Sequence, residues 1–399
     1  MTRKLGYLVP QFPGQTHIFF WREIAELEKR GVTVDLLSTR RPPPGLVAHD
    51  WSAAAMARTT YLGRPDIGTA LSALPRLPYG ELLREVRTEG KALARDVAVS
   101  VPAAQALIRQ CRRRGIEHVH VHSCGRAALL AAMARRMGGP RYSLTLHGPL
   151  SDYGPGQRFK WRHAAFASII TEKLRAEMQA DLPDDLPKRL FIQPMGVDTD
   201  VLAPIGPYRP ATKAETLRLF SCGRLNVVKG HQDLMQAVRT LLDQGRDVEL
   251  AIAGEDDDGG SGYHTGLEAR IAELGLTGKV RLLGAIDASA VRDHIRAAHL
   301  FVLASWHEPL GVALMEAMSC GTPTIGTNAG GVAELIRDGV DGVLVPPKSP
   351  GSLAAAIAAL ADDPARAARL SVAGRTRIVE GFHAGRGADM LISAIWGQQ

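Results

Sequence analysis

The sequence predicts an α/β protein that contains two doubly wound parallel sheets. Buried strand patterns alternate with helical patterns from Leu5 onward, and a second series of the same kind begins at Leu217. A proline-rich segment, Pro204 to Pro210, separates the two series and has the composition of a linker. The chain of 399 residues is also too long for one ordinary hydrophobic core. We therefore expect two Rossmann-like domains.

The domain boundaries follow from these patterns. We place an N-terminal domain at residues 1–205 and a second domain at residues 206–375. Residues 376–399 belong to a helical pattern that runs from about Ala365 to Trp396. This helix is longer than the second sheet needs, so we expect its end to cross back to the first domain.

The first domain opens with a β-α-β pattern. Leu5 to Val9 is typical of a strand, His17 to Arg30 of a helix, and Val32 to Ser38 of the next strand. No GxGxxG sequence follows the first strand, which disfavours a dinucleotide-dependent dehydrogenase. A Pro-Gly pair that ends at Gly14 stands there instead, and glycine lets a ligand approach the backbone closely.

The rest of the first domain contains one candidate ligand-contacting histidine. After a helical stretch from about Trp51 to Arg114, the three histidines of the strand His118 to His122 share one face. No Asp, Glu or Cys follows them at ligand spacing, so we expect no metal site. The next strand, Arg141 to Leu146, delivers His147 to its carboxyl end, where open α/β sheets bind ligands.

Two further strands complete the first sheet, and six strands separated by helical patterns form the second. In the first domain these are Ser168 to Thr171 and Arg189 to Gln193. In the second they are Leu217 to Ser221, Val248 to Ala253, Lys279 to Leu283, Leu300 to Leu303, Pro323 to Gly326 and Gly342 to Val345.

The charge and cysteine content limit the compartment and the partners. Lys and Arg total 48 against 41 Asp and Glu, and the excess is clustered in the first half of the chain. A basic face of this kind suits an anionic membrane surface or a phosphorylated acceptor. Nucleic acid is disfavoured as a partner because no recognisable nucleic-acid-binding motif accompanies the basic residues. Four scattered cysteines without a CxxC pair, and no apolar run near 18 residues, predict a cytoplasmic protein. Any membrane contact would then be peripheral, on the cytoplasmic face of the inner membrane.

The strongest functional signal lies between Ser305 and Gly331. A buried strand pattern leads into a loop with Glu308, and a helix pattern begins near Gly311 with Glu316 inside it. The unpaired N–H groups of such a helix start suit a phosphate. Glu316 lies one turn behind Val312, placed for the hydroxyls of a ribose. Two carboxylates on either side of a phosphate-binding helix start are suited to a nucleotide sugar.

A second signal follows the first strand of the second domain. Gly223 allows the backbone to turn there, and Arg224 and Lys229 stand on the loop that follows. A planar guanidinium and a lysine ammonium together neutralise a diphosphate. We therefore expect both side chains near the helix start at Gly311.

Several motifs together resemble the family-4 retaining glycosyltransferases of the GT-B fold, over essentially the full chain. They are EPLGVALMEAMSCGTPTIGTNAGG from Glu308, GRLNVVKG from Gly223, TLHG ending at Gly148, and PMGVDTD from Pro194. The opening FPGQTHIFFWREI resembles exopolysaccharide-type members, the glycosyl transferases of group 1. Trp306 and His307 depart from the family, which often has smaller or polar residues there, and Leu310 stands where Phe is frequent.

The resemblance implies transfer of a sugar from a nucleoside-diphosphate sugar, with UDP or GDP as the carrier, and with retention at the anomeric carbon. It implies no obligatory metal and no other cofactor. The acceptor would be lipid-linked, a polysaccharide or another glycan, or a small molecule with a hydroxyl group. The implied roles are as follows: Arg224 and Lys229 bind the diphosphate, Glu316 the ribose, Glu308 the donor sugar, and His147 sits beside the anomeric carbon. The remaining donor-binding positions are Gly223, Leu283, Ile286, Leu310, Gly311, Val312 and Ala313, with Gly14 and Gln15 on the acceptor-side loop.

The sequence is also compatible with two other functions. A non-catalytic GT-B protein would bind a nucleotide sugar through the same residues. A glycogen-phosphorylase-like enzyme would share the fold but would need a pyridoxal-phosphate lysine, which no motif here identifies. For a transferase, we expect front-face substitution, because no carboxylate pair flanks the anomeric centre as a double displacement requires.

Overall fold

The computed structural model describes residues 3–14, 17–43, 50–63, 67–256 and 262–397. They form two compact units. The first contains Met1–Pro194 together with Gly385–Gln399, and the second contains Met195–Ala384. Each unit is built on a parallel sheet with helices connecting its strands, which confirms the predicted fold class.

The first unit contains a parallel sheet with the strand order β3-β2-β1-β4-β5-β6-β7 in the part of the chain described. Its strands are β1 (Arg3–Gln11), β2 (Val32–Arg40), β3 (Thr60–Tyr61), β4 (His118–His122), β5 (Arg141–Leu146), β6 (Ala167–Ile169) and β7 (Leu190–Ile192). Its helices are α1 (Ile18–Lys29), α2 (Ser52–Arg58), α3 (Ile67–Ala73), α4 (Tyr79–Glu89), α5 (Lys91–Arg114), α6 (Arg126–Arg136), α7 (Gln157–Trp161) and α8 (Glu172–Asp181). The middle of β1 is buried throughout because helices cover both faces of the sheet.

The second unit repeats this architecture with the strand order β10-β9-β8-β11-β12-β13. Its strands are β8 (Leu217–Cys222), β9 (Val248–Ala253), β10 (Val280–Leu282), β11 (Leu300–Val302), β12 (Thr324–Thr327) and β13 (Val343–Val345). Its helices are α9 (His231–Asp243), α10 (Tyr263–Glu273), α11 (Ala288–Ala297), α12 (Val312–Ser319), α13 (Val332–Leu335), α14 (Pro350–Asp362) and α15 (Pro364–Gly381). The last helix, α16 (Gly385–Trp396), belongs to the first unit.

Two predicted helices are divided in the structure. The stretch from Trp51 to Arg114 contains α2 to α5 and the short edge strand β3, which pairs in parallel with β2. Gly90, with φ of +77°, separates α4 from α5. The C-terminal pattern likewise breaks into α15 and α16, because the residues between them pair with a strand-like segment near Val197.

The units divide the chain at residue 195, whereas the sequence placed the boundary at 206. The backbone explains the difference. The N–H of Val197 donates to the carbonyl of Phe382 at 2.9 Å, and the N–H of Ala384 donates to the carbonyl of Val197 at 2.9 Å. Within the proline-rich segment, the Tyr208 hydroxyl donates to the carbonyl of His299 at 2.8 Å. This segment therefore packs as part of the second unit.

Helix α16 packs against α1 within the first unit. Arg30 forms an ion pair with Asp389 at 2.6 Å, and Gly387 lies directly against Glu23. No helix in the described ranges is long and apolar enough to cross a membrane.

We expect Gly196→Ala to destabilise the protein by about 1–3 kcal/mol, because a β-carbon there would lie 2.5 Å from backbone atoms of His383 and Ala384. The measurement is the urea midpoint of unfolding. Gly206→Ala is the matched control, since a β-carbon at Gly206 meets nothing within 4 Å. Equal midpoints for the two variants would contradict the packing of this segment.

Candidate functional site

The candidate donor site lies at the carboxyl edge of the second sheet. β8 and β11 are neighbours in that sheet, and the strand order runs in opposite directions from this pair. Open α/β sheets bind ligands where the order reverses, because the loops after the two strands separate and leave a crevice. The loop after β8 contains Arg224 and Lys229, and the loop after β11 contains Glu308.

An ion pair joins these two loops. The Lys229 Nζ donates to Glu308 Oε2 at 2.6 Å, and the Ser305 hydroxyl donates to the same oxygen at 3.2 Å. Both charged side chains are largely withdrawn from water, with 18% of Lys229 and 10% of Glu308 exposed. Removing either partner would leave a poorly hydrated charge, so the pair fixes the position of both groups. The sequence identified both residues but not that they contact each other.

The backbone around Glu308 is held from the other side by the Asn328 to Gly331 turn. The N–H of Gly331 donates to the carbonyl of Glu308 at 2.9 Å. Gly330 has φ of +68°, and a β-carbon there would lie 2.0 Å from the same carbonyl. Only glycine fits this position, which explains the first glycine of the Gly-Gly pair at the end of the motif from Glu308.

Glycines also shape the loop after β8. The Lys229 side chain lies across Gly223, where a β-carbon would contact its methylene groups at 3.7 Å. Gly230, with φ of +68°, packs against the carbonyl of Ala304. These two contacts direct the Lys229 ammonium toward the Glu308 loop.

The predicted helix start is present beside the ion pair. α12 begins at Val312 after Gly311, which has φ of +99°, and Gly311 lies against the Glu308 side chain. Leu310 is buried, while Val312 and Ala313 are partly exposed. The first N–H groups of α12 have no partners within their own helix, as at any helix start.

Glu316 and the remaining donor-side residues lie around the same edge. Glu316 is half-buried in α12, and its charge reaches Cys222 at the end of β8; burial and then Glu316 raise the pKa of that thiol to about 12. Leu283 and Ile286 follow β10, where the N–H of Leu283 donates to the carbonyl of Ile252 at 2.8 Å. Arg224 is exposed on the loop after β8, and its assignment to a diphosphate stays a prediction.

In the first unit, His147 and Gly14 lie at the carboxyl edge of the sheet, after β5 and β1. The Phe19 and His147 rings are 5.7 Å apart. The carbonyl of Gly14 accepts a hydrogen bond from the N–H of His17 at 3.0 Å. Gln15, the other predicted acceptor-side residue, lies outside the described residues.

A buried carboxylate that the sequence analysis missed lies beneath His147. Glu23 extends from α1, and its Oε2 accepts a hydrogen bond from the Tyr7 hydroxyl at 2.7 Å. His122 Nε2 is 3.0 Å from the same oxygen, and His122 Nδ1 is 3.2 Å from His147 Nε2. The available signal was the position of Glu23 between Phe20 and Ile24 on the apolar face of α1, an unusual place for a carboxylate.

Glu23, His120 and His122 are the described residues that could hold a metal ion, with ligand atoms within 4.8 Å of one another. The sequence offered no carboxylate near these histidines because Glu23 comes from a distant helix. His120, however, is already bound on both nitrogens, 2.7 Å from the Ser143 hydroxyl and 2.8 Å from that of Thr145. The arrangement therefore matches a hydrogen-bonded polar core better than a ligand set.

Two family models match adjacent parts of the chain. The model described as Glycosyltransferase Family 4 matches residues 18–201, and the one described as Glycosyl transferases group 1 matches residues 209–377.

Curated relatives match part of the chain. A D-inositol 3-phosphate glycosyltransferase of Geodermatophilus obscurus is 32% identical over 216 residues, covering 52% of this chain and 47% of the relative. The alpha-D-kanosaminyltransferase of Streptomyces kanamyceticus is 29% identical over 269 residues, covering 62% of this chain and 68% of the relative. The match to the inositol-phosphate enzymes thus spans about half of their length.

Solved structures share the fold along the whole chain. The Anabaena HepE protein in complex with UDP and glucose has a TM-score of 0.75 at 17% identity and covers 100% of both chains. A sucrose-phosphate synthase from Thermosynechococcus elongatus has a TM-score of 0.73 at 20% identity, covering 98% of this chain and 97% of its own.

The buried histidines predict acid sensitivity. Burial lowers the pKa of His118 and of His122 to about 3, so the folded state holds both rings neutral. The unfolded chain takes up these protons below about pH 6.5, and stability is lost as the pH falls below that value. We expect protonation of each ring in the unfolded chain to lower the free energy of unfolding by about 2 kcal/mol between pH 7 and pH 5. The measurement is the urea midpoint of unfolding at each pH. The stability of His118→Gln should fall less steeply with decreasing pH than that of the wild type. Identical pH profiles would contradict the lowered pKa of His118.

Proposed function

The chain belongs to the family-4 glycosyltransferases of the GT-B fold, and from that premise we propose that it transfers a sugar from a nucleoside-diphosphate sugar to a hydroxyl acceptor. The proposal includes retention at the anomeric carbon and a reaction without an obligatory metal. Its main support is the Lys229–Glu308 pair beside the start of α12, at the point where the strand order of the second sheet reverses.

The chemistry of glycosyl transfer suits these groups. Cleavage of the anomeric bond leaves negative charge on the departing diphosphate and positive charge on the sugar. Arg224, the Lys229 ammonium and the first N–H groups of α12 stabilise the negative charge as it develops. Glu316 binds the ribose, and Glu308 binds hydroxyl groups of the donor sugar while it orients Lys229.

Front-face substitution fits this set of side chains. The acceptor hydroxyl attacks from the side on which the diphosphate leaves, and a diphosphate oxygen takes its proton. The carbon–oxygen bond to the diphosphate breaks as the bond to the acceptor oxygen forms, so the anomeric configuration is retained. His147 orients the sugar beside the reacting carbon.

The choice of substrates is the finer part of the proposal. The HepE complexes contain UDP, and one contains UDP-glucose, so uridine diphosphate sugars are the first donors to test and GDP-sugars the next. The relatives are named for inositol phosphate and aminosugar substrates. We propose a lipid-linked, polysaccharide or small-molecule hydroxyl acceptor, with exopolysaccharide synthesis as the setting.

An exposed apolar surface in the first unit supports a peripheral membrane location. It consists of Leu71, Leu74, Tyr79 and Leu83, and the Tyr79 hydroxyl donates to the carbonyl of Leu74 at 2.8 Å, which holds its two halves together. Exposed arginines lie in the same segment, at Arg76, Arg84 and Arg87. Apolar side chains next to positive charge suit the interface of an anionic bilayer. A cytoplasmic position is compatible with the free thiols of the cysteines.

We expect Arg224→Ala to lower kcat/KM for the donor by at least about 100-fold, because it removes a cation that stabilises the leaving diphosphate. The measurement is release of nucleoside diphosphate from UDP- and GDP-sugars in the presence of EDTA, with NMR of the product for its anomeric configuration. Arg246→Ala is the matched control, since Arg246 is a surface arginine of the same unit that pairs with Asp362.

Undiminished turnover in Arg224→Ala would contradict the site, and an inverted product would contradict front-face substitution. Donor binding by the wild type without turnover on any acceptor would favour a non-catalytic nucleotide-sugar-binding protein.

We expect the protein to co-sediment with vesicles that contain phosphatidylglycerol and less with pure phosphatidylcholine. Leu71→Ser combined with Leu74→Ser should weaken this binding several-fold, because it removes apolar area that enters the interface. Val372→Ser, at an exposed apolar position of the second unit, is the control. Equal binding by both variants, or none by the wild type, would contradict a membrane role for this surface.

A further inference from the structure

A line of polar groups runs from the interior of the first unit to His147. It begins at the Tyr7 hydroxyl on β1 and passes through the Glu23 carboxylate and the His122 ring. It ends at His147, whose Nε2 is 3.2 Å from His122 Nδ1. Tyr7, Glu23 and His122 are almost entirely buried, whereas His147 is partly exposed at the carboxyl edge of the sheet.

The distances and charges along this line favour one placement of the protons. Glu23 Oε2 accepts a hydrogen bond from the Tyr7 hydroxyl and lies next to His122 Nε2, so this oxygen acts as the acceptor. His122 Nε2 lies 3.0 Å from Glu23 Oε2 without meeting the geometry of a hydrogen bond, and no other group among the residues described bonds to it. A neutral imidazole carries one N–H, and next to a carboxylate that proton belongs on Nε2.

The position of the proton on His122 determines its position on His147. With its proton on Nε2, His122 presents an unprotonated Nδ1, which accepts a hydrogen bond only if His147 Nε2 carries a proton. His147 is then left with an unprotonated Nδ1. Burial lowers the pKa of both rings to about 3, so both are neutral near pH 7 and each has a single N–H to place.

We propose that Glu23 is a positioning residue that acts through His122 to hold His147 as the tautomer with its proton on Nε2 and its lone pair on Nδ1. The inference rests on the proposed function, in which His147 contacts the donor sugar. In this tautomer, Nδ1 accepts a hydrogen bond from a sugar hydroxyl, whereas the other tautomer would present an N–H donor there. Fixing the tautomer in advance removes a proton rearrangement from the binding step.

Helix α16 makes room for this carboxylate. A β-carbon on Gly387 would lie 2.6 Å from Glu23 Oε1, the oxygen that does not face His122. The Arg30–Asp389 ion pair holds α16 against α1 in the same region. Gly387→Ala therefore offers a way to displace the carboxylate without removing its charge.

A metal ion is the competing occupant of this cluster. It would use Glu23, His120 and His122, but His120 would have to give up its contact with either Ser143 or Thr145. The proposed relay, in which Glu23 acts through His122 on His147, needs no such rearrangement, and it connects Glu23 to a residue at the sheet edge. Metal analysis of the purified protein separates the two possibilities.

The test is NMR of the full chain with 15N-labelled histidine, in which ring nitrogen shifts and long-range couplings report the tautomer of each ring. His147→Asn identifies the His147 signals by their loss. The variants are Glu23→Gln and Gly387→Ala. Glu26→Gln is the matched control, because Glu26 lies one turn further along α1 and pairs with Lys29 and Arg30 instead of the histidines.

In the wild type and in Glu26→Gln we expect His147 Nδ1 to be unprotonated. In Glu23→Gln the amide N–H₂ can donate to His122 Nε2, which reverses both rings, so His147 Nδ1 should become protonated in a substantial fraction of molecules. Gly387→Ala should shift the signals in the same direction. In the transfer assay, Glu23→Gln should lower kcat roughly 10- to 100-fold with the donor KM little changed.

Three results would overturn the inference: a protonated His147 Nδ1 in the wild type, identical His147 signals in Glu23→Gln and Glu26→Gln, or one equivalent of zinc bound in the purified protein and lost in Glu23→Gln. The tautomer measurement needs no turnover. A relay seen by NMR in a protein that transfers no sugar would therefore refute the proposed function alone, and normal transfer with unchanged tautomers would refute the relay alone.

Discussion

The Lys229–Glu308 ion pair is the interaction on which the candidate site depends. It joins the loops after β8 and β11, the two strands at which the order of the second sheet reverses. Since both side chains are mostly removed from water, neither can leave without exposing the other to an unfavourable environment. The pair therefore joins two loops, and it does so beside the start of α12. A positive charge and a helix start thus occupy fixed positions at one edge.

Glycines make this arrangement possible at the backbone level. Gly230 and Gly330 adopt positive φ, and each packs against a main-chain carbonyl at a distance that no side chain would allow. Gly311 at the start of α12 also has a positive φ, and a β-carbon there would lie 2.7 Å from the Leu314 side chain. The loops consequently approach each other closely enough for Lys229 to reach Glu308. Backbone conformation, more than side-chain size, decides where the charges lie.

The first unit also contains charged and polar side chains that hold one another in position, and these side chains are buried. A carboxylate and several histidines occupy a space that hydrophobic side chains would ordinarily fill. They are tolerated because nearly every polar atom has a neighbour: Tyr7 on one side of Glu23, and the Ser143 and Thr145 hydroxyls around His120. Such a network is costly to build and sensitive to single changes. The proposed relay to His147 would give that cost a functional reason.

The sequence alone determined the two α/β sheets and most of their strands, because hydrophobic periodicity is a local property. It did not determine that Val197 pairs with the segment before α16, nor that β3 is a strand, since these depend on pairing with distant backbone. The contact of Lys229 with Glu308, and that of Glu23 with His122, join residues about 80 and 100 positions apart. No local pattern encodes such distances; packing of the folded chain decides them.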